Sequence, residues 1–497
     1  MVTPRLSLQE QLREAVATIE RLQTENDALR AENESLADRV TALESELRAD
    51  STTTSKPPSQ DRIEPRQKRA ERRAAARAKQ AQGKKRAQGK QPGAPGAHLK
   101  RREPDKTVPH DPECCSDCGR DLKDAEVTGE VRSQVIDLPP VRPEVTDHIA
   151  YRRRCVCGTE TLGTLPPEAR APVCWGPEVR VIALYMLVRQ HLPIERTAEL
   201  LEDLLGAPVS TGWLCQIQQE AAVLLVPFLV DLKGRLRKEP VVHADETGTR
   251  VRTTKHWMHT LATGMLTLVA VHRRRGVKAF EAIGVIPGYK GTIVHDGWAP
   301  YEVYDEATHA QCGAHVLRHL DGVGVDETFA LWTNQMTGIL MDAKAASEAA
   351  AGAGEAAVSE EIAAKIRTRY NDTLDVAFAL LPSGPPPPRR HRGGWSSLER
   401  KAWNLATRMR GDADQVLRLL DDTRVPFTNN IAEQALRMVK LHDKISGCFY
   451  SVEGAEAFAA TRSYLQTPDK HGENLIGVIR QLFSSGPWLP PYPAGGT

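Results

Sequence analysis

Residues 240–251, PVVHADETGTRV, carry a short apolar run that ends on an acid, Asp245. A second run of the same form, GTIVHDGWAPY at 291–301, ends on Asp296. Short apolar runs bounded by turn-forming residues read as buried strands. A third acid, Glu433, lies in TNNIAEQALRMVK at 428–440, which opens as a helix behind two asparagines. Two carboxylates at the C-terminal ends of adjacent strands sit where ligands of open α/β sheets gather. A third on a helix facing the same edge completes a set able to converge on two divalent cations. Mg²⁺ prefers hard oxygen ligands, and a pair of such ions stabilises both the attacking and the leaving oxygen of a phosphodiester. Asp245, Asp296 and Glu433, holding two Mg²⁺ or Mn²⁺, are therefore the expected centre of a polynucleotide phosphoryl-transfer site.

The surrounding sequence fits that reading. PVVHAD, the stretch around KHWMHTLAT, and MLTLVAVHRR predict three strands, VKAFEAIG a helix and GTIVHD a fourth strand. Three strands, a helix and a fourth strand, with acids on the first and fourth, is the ribonuclease-H-like order. A catalytic α/β domain is expected over residues 239–480. An Ala-rich helical insertion over about 320–425 separates the second acid from the third, and LPSGPPPPRRHRGG interrupts it. Lys440 is seven residues beyond Glu433, about two helical turns, and so on its face. Arg437 is one turn beyond. Both are expected to hold a DNA phosphate, with Lys440 joining the catalytic set. Asn429 and Asn430 are expected to cap this helix and to face DNA. HAQCGAHVLRHL, which contains His309, Cys312, His315 and His319, is expected to pack near the site, with His315 and Arg318 toward DNA. Residues 481–497 read as a disordered tail.

Upstream, three segments of different character precede the catalytic domain. Residues 1–50 hold a heptad repeat: Leu22, Leu29, Leu36 and Leu43 on one seam, and Leu12, Ile19, Asn26, Asn33, Val40 and Leu47 on the other. That pattern predicts a two-stranded parallel coiled coil, hence a homodimer, with the asparagines setting register. Residues 51–106 are Ser/Thr/Pro-rich and then basic, predicting a disordered linker. Its Arg66, Lys68, Arg69, Arg72, Arg73, Lys84, Lys85 and Arg86 would bind DNA phosphates without sequence preference, driven by counterion release. Residues 107–165 place Cys115 and Cys118 before Gly119, and Cys155 and Cys157 before Gly158. Two such pairs predict a structural Zn²⁺ held by four thiolates, in a small β domain too short to build its own core. Residues 166–238 predict helices, with Gly206 as a C-cap, Ser210 or Thr211 as an N-cap, and a helix-turn-helix-like arrangement for DNA.

The whole is a multidomain α+β chain of 497 residues, long enough for about three domains. Its net charge of +2 hides segregation, because an acid-rich N-terminal helix precedes the basic run. Nine cysteines are too few and too clustered for a disulfide scaffold. No apolar run reaches the roughly 20 residues that span a bilayer, and MVTPRLSLQEQLREA has no apolar signal region. A cytoplasmic protein without a membrane partner is expected.

SKPPS, GKQPGAPG, CSDCG with CVCG, HLPIERTAELL, HADETGTRV, HDGWAPY and NNIAEQALR follow one another in an order that resembles the insertion sequence 66 transposases over nearly the whole chain. The resemblance implies a D-D-E triad of Asp245, Asp296 and Glu433, with Glu433 and Lys440 in the Glu-x6-Lys relation. It also implies cleavage and strand transfer at the terminal inverted repeats of a mobile element, on double-stranded DNA, with companion proteins of the same element as possible partners. The C-x-C pair is one residue shorter than the commoner C-x2-C, and HAQCGAHVLRHL departs from the family's CWAH-type segment. Two other functions share these features: a catalytically silent DNA-binding protein derived from a transposase, and a ribonuclease-H-like nuclease without strand transfer.

Overall fold

A computed structural model describes residues 99–169, 171–386 and 395–491. The expected coiled coil and the basic run to residue 98, with Arg66, Lys68, Arg69, Arg72, Arg73, Lys84, Lys85 and Arg86, lie outside the described residues. The chain divides into two units, residues 1–140 and 141–497.

In the first unit the described residues 99–140 form no helix, and their only strand-like pairing is the Cys114–Asp121 bridge. Arg102 and Gln134 exchange two hydrogen bonds, of 2.9 and 2.7 Å. The alternation through 126–154 predicts the strands of the small β domain; of that stretch only Arg152–Arg154 forms a strand, and Val131, Val135 and Val145 are exposed. Pro139, Pro140 and Pro143 explain the difference, since each removes a ladder donor where a strand would need one.

The second unit opens with a short hairpin, β1 (Arg152–Arg154) against β2 (Glu160–Leu162). Four helices follow. α1 (Pro177–Leu184) runs into a π-helical turn, Tyr185–Arg189. α2 (Ile194–Leu205) ends on Gly206 in the left-handed conformation, φ 64°, as the sequence predicted. α3 (Thr211–Leu224) starts at Ser210, whose hydroxyl accepts from the Trp213 N–H. Sequence periodicity ran on without a break, but the chain bends by 49° after Leu224 and resumes as α4 (Val226–Leu236), which carries a proline in its first turn. Among the described residues no single helix is long and apolar enough to cross a membrane.

A five-stranded sheet comes next. β3 (Val241–Val251), β4 (Thr254–Ala262) and β5 (Thr267–His272) form an antiparallel meander. α5 (Val277–Ile283) then crosses over to β6 (Thr292–His295), parallel to β3, and β7 (Thr308–Gln311) lies parallel to β6. The order is β5-β4-β3-β6-β7.

After the sheet come α6 (Gly313–Val323), α7 (Glu327–Gly352), α8 (Glu360–Ala379), α9 (Ser397–Gly411) and two single turns, α10 (Ala413–Val416) and α11 (Arg418–Asp421). This is the helical insertion, and it has its own core of Trp332, Met336, Tyr370, Leu374 and Leu405. α12 (Asn430–Ser446), α13 (Val452–Lys470) and α14 (Leu475–Ser484) return to the sheet. α13 is buried along most of its length and closes an open sheet edge. Ser463 Oγ accepts the Val269 N–H at 2.8 Å, and Thr467 Oγ1 accepts the Thr267 N–H at 3.2 Å. Side chains one turn apart thus satisfy alternate donors of β5, which would otherwise be an exposed pairing edge.

Two expectations about boundaries change. α1–α4 are not a separate module, because Leu184, Leu214, Phe228 and Leu232 join Val242, Leu268, Phe458 and Tyr464 in one core. Phe228 meets Tyr464 edge-on at 5.0 Å, and Arg189 pairs with Asp469 at 2.8 Å. Nor is the described part of the tail loose. Residues 481–484 belong to α14, Trp488 donates its N–H to the Tyr464 hydroxyl at 2.8 Å, and the Pro491 carbonyl accepts from Arg235. Aromatic and apolar residues among the prolines explain the docking.

Candidate active site

Asp245 does not end its strand. The polar stretch ETGTRV continues β3 for six residues beyond it, because β4 supplies a partner as far as Val251. The apolar run records only where both faces are covered. Register then places the second acid. His243 lies opposite Val294 on parallel β6, an offset of 51 residues, and Asp296 follows Asp245 by the same 51. The two acids are level on neighbouring strands. Asp296 stands just past β6, where its Oδ1 accepts the Trp298 N–H at 3.0 Å. Gly297 makes the turn at φ 83°, with Gln311 so close that a Cβ would lie 3.0 Å from it.

Asn429 brings the third acid alongside. It is 1% exposed. Its Oδ1 lies 2.9 Å from His243 Nδ1, and its Nδ2 donates to the Ala244 carbonyl at 2.7 Å. The amide nitrogen being committed as a donor, His243 Nδ1 is the protonated partner; burial lowers the pKa of this imidazole. Fourteen residues further along α12, Asp443 accepts from Thr249 Oγ1 at 3.1 Å. The helix advances about 21 Å over that interval and the strand about 20 Å from His243 to Thr249. α12 therefore runs in step with β3, and Glu433, about 6 Å along from Asn429, is level with Asp245.

Negative charge accumulates here. Burial pushes the Asp245 carboxyl up to about 7, and the carboxylates of Glu246, Asp296 and Glu433 push in the same direction. Glu246 is almost fully buried on the opposite face of β3, and burial raises its pKa as well. Arg275 reaches Glu246 Oε1 at 2.7 Å, and the Tyr301 hydroxyl donates to Oε2 at 2.7 Å. The same guanidinium lies 3.8 Å from Asp296 Oδ2 and stacks on Trp298 with 3.8 Å to the ring centroid. Sequence reasoning missed Glu246, Arg275 and Tyr301 as a unit. Glu246 adjoins Asp245 within HADE, but nothing local signals that Arg275 from the β5–α5 loop would reach it.

The remaining expected residues separate into two groups. Asn430, Arg437 and Lys440 are exposed on α12 and accessible to a phosphate. Asn429 is not: it occupies the N-cap position without a side-chain cap bond and is buried as the α12–β3 bridge, so its expected DNA contact is corrected. His295 is fully buried between His309, 3.2 Å away, and the Tyr301 ring; burial holds its pKa down at about 3. Cys312 and His315 lie beside Glu433. Their ligand atoms and a Glu433 oxygen gather within 4.8 Å, so the segment lies near the site as expected, with His315 beside Glu433.

Each cysteine pair forms its own tight turn. Cys115 donates its N–H to the Arg120 carbonyl and accepts from the Gly119 N–H, with Gly119 at φ 71°. Cys155 makes the equivalent bonds with Thr159 and Gly158, with Gly158 at φ 90°. Hydrogen bonds from Cys118 and Asp117 lower the Cys115 thiol pKa. Those from Thr159 and Cys155 bring Cys157 down to about 7. Such turns favour thiolates, the form that binds metal.

The fold and the site define an α/β protein with a half-buried acidic cluster where the pairing of two parallel strands ends and on a later helix. Residues 172–457 match the model of the transposase IS66 family, and residues 112–158 match that of the zinc-finger binding domain of transposase IS66. The chain belongs to the IS66 transposase family. Residues 2–100 match a family of unknown function (DUF6444). No curated protein matches the chain.

Proposed function

We propose that this transposase cuts DNA at the terminal inverted repeats of its element and joins the freed ends to target DNA, with Asp245, Asp296 and Glu433 as the catalytic carboxylates. The observation that carries the proposal is the shared level of the three acids: β3 and β6 in 51-residue register, and α12 running in step with β3. The order β5-β4-β3-β6-β7, with an antiparallel meander and two parallel strands, supports the ribonuclease-H-like reading.

The donor set fits Mg²⁺ or Mn²⁺. Its donors are hard carboxylate oxygens, and a carboxyl raised to about 7 by burial and by its neighbours reflects negative charge that a dication would relieve. Such ions, when bound, supply Lewis acidity toward a phosphodiester and its nucleophile. The chain's own residues do the rest. Asp245 and Asp296 fix one side of the site from neighbouring strands, and Glu433 closes it from α12. Arg275 orients Asp296 and neutralises Glu246, keeping a second buried carboxylate from adding full charge at Asp245. Lys440, Arg437 and Asn430 hold DNA phosphates along the exposed face of α12. Cys115, Cys118, Cys155 and Cys157 would hold Zn²⁺, in keeping with the zinc-finger match, and so order the segment that meets the element ends. The heptads of residues 1–50 would pair two chains, so that two ends meet in one complex, and the basic run would hold duplex phosphates.

The test is metal-dependent nicking of a labelled element end. Mg²⁺ or Mn²⁺ should support nicking by the wild type, and Asp245→Asn, Asp296→Asn or Glu433→Gln should each abolish it with end binding retained. Binding by the wild type without nicking, in the presence of companion proteins, would favour the silent DNA-binding protein instead.

A further inference from the structure

Glu433 has a second set of neighbours, unlike the carboxylates. Cys312 follows the end of β7 and occupies the N-cap position of α6, and His315 lies in the first turn of that helix. The C-x-x-H spacing brings both side chains to one side of the turn. Cys312 is fully buried and held at both ends. Its N–H donates to the His295 carbonyl at 2.8 Å, and its sulfur accepts the Asn429 N–H at 3.2 Å. Asn429 is also the bridge that sets α12, so Cys312 and Glu433 are positioned by one buried residue. His315 Nδ1 is buried and has no hydrogen-bond partner. Glu433 Oε1 stands 3.8 Å from it, beyond hydrogen-bond range. A buried imidazole nitrogen left without a partner beside a thiol and a carboxylate has the form of a metal-ligand set.

We infer that Cys312, His315 and Glu433 form a binding site for a borderline divalent cation, Zn²⁺ above all, which shares Glu433 with the catalytic carboxylates. Thiolate and imidazole select Zn²⁺ over Mg²⁺. Ligand atoms of a tetrahedral zinc site stand about 3.5 Å apart. Atoms already within 4.8 Å close to that spacing by a side-chain adjustment of about 1 Å. Glu433, a quarter exposed on the first turn of α12, is free to make it. Three protein ligands leave a fourth position to water, and the Cys312 thiol proton goes to solvent as the sulfur–metal bond forms. The consequence rests on the proposed catalytic reading: a Glu433 committed to Zn²⁺ is withdrawn from Asp245 and Asp296. Zinc beyond what the zinc-finger segment takes would then inhibit Mg²⁺-supported cleavage.

Cobalt tests the binding without activity. Full-length protein, first loaded with zinc at the zinc-finger segment, is titrated with Co²⁺, and thiolate-to-cobalt charge-transfer absorption is recorded. The wild type should show absorption that Cys312→Ser lacks. His315→Ala should need more than about tenfold more Co²⁺ to reach it. Asp245→Asn should keep it, since Asp245 is outside the set. Serine preserves the volume and accepts the Asn429 N–H, and Glu433→Gln provides a second variant that should weaken the signal should Cys312→Ser misfold. Equal absorption by the wild type, Cys312→Ser and Glu433→Gln overturns the site. In the cleavage assay, Zn²⁺ should inhibit the wild type, and Cys312→Ser should need more than about tenfold more Zn²⁺ for the same fractional loss. Unchanged sensitivity overturns the inhibitory link. If the catalytic reading is what fails, Asp245→Asn cuts DNA as the wild type does while the cobalt difference stands.

Discussion

Replacing Asp245 by asparagine removes a charge that the fold pays to bury. The carboxyl is raised from its ordinary 3.8 to about 7, first by burial and then by Glu246, Asp296 and Glu433. Each pKa unit is worth about 1.4 kcal/mol. A carboxyl whose pKa is higher in the folded chain contributes its full stability below pH 3.8 and loses it as pH rises through 7. At pH 5 the loss is about 1.6 kcal/mol, and at pH 8 it reaches about 4 kcal/mol as an upper bound. The asparagine side chain does not titrate. Without metal, the stability of Asp245→Asn relative to wild type should therefore grow between pH 5 and pH 8. Partial exposure of the carboxylate reduces the growth from about 2.4 kcal/mol to about 1–2 kcal/mol. Urea denaturation in chelator at the two pH values measures it. Mg²⁺ should stabilise the wild type at pH 8 and stabilise Asp245→Asn less. A difference that stays constant or shrinks with pH would refute the account of this site as an uncompensated acidic cluster.

Other positions give equally definite outcomes. Gly313→Ala would put a Cβ 2.4 Å from the Phe427 ring, so urea denaturation should show a loss of about 1–3 kcal/mol. Asn429→Ala leaves the His243 Nδ1 donor and the Ala244 carbonyl buried and unpaired; stability should fall by about 2–5 kcal/mol, and nicking should fall with it because α12 loses its register on β3. Ser463→Ala orphans the Val269 N–H at the β5 edge, costing about 1–3 kcal/mol with nicking retained below the melting transition. Strong chelation of zinc should make residues 112–158 protease-sensitive while 172–457 stays protected; protection of both segments would count against a structural zinc.

How much was legible in the sequence depended on whether the signal was local. Gly206 and Ser210 cap their helices as expected because capping is settled within four residues. The strands carrying Asp245 and Asp296 were visible because both are buried on two faces, and the helix opening at Asn430 because apolar periodicity begins there. What failed depended on distant partners. The end of β3 is set by β4, the shared core of α1–α4 by α13, and the docking of Trp488 by Tyr464. Asn429 read as a cap from its neighbours, yet its side chain serves a strand nearly two hundred residues away. The alternation through 126–154 looked like strands because periodicity registers faces and not partners; only Arg152–Arg154 pairs, and three prolines weigh against a ladder before it.

The most direct test of the central claim is strand transfer by purified protein with companion proteins, labelled element ends, a target plasmid and Mg²⁺. The account predicts joined products from the wild type and none from Asp245→Asn, Asp296→Asn or Glu433→Gln, each still binding ends. Joined products from any one of these three variants at the wild-type level would contradict it.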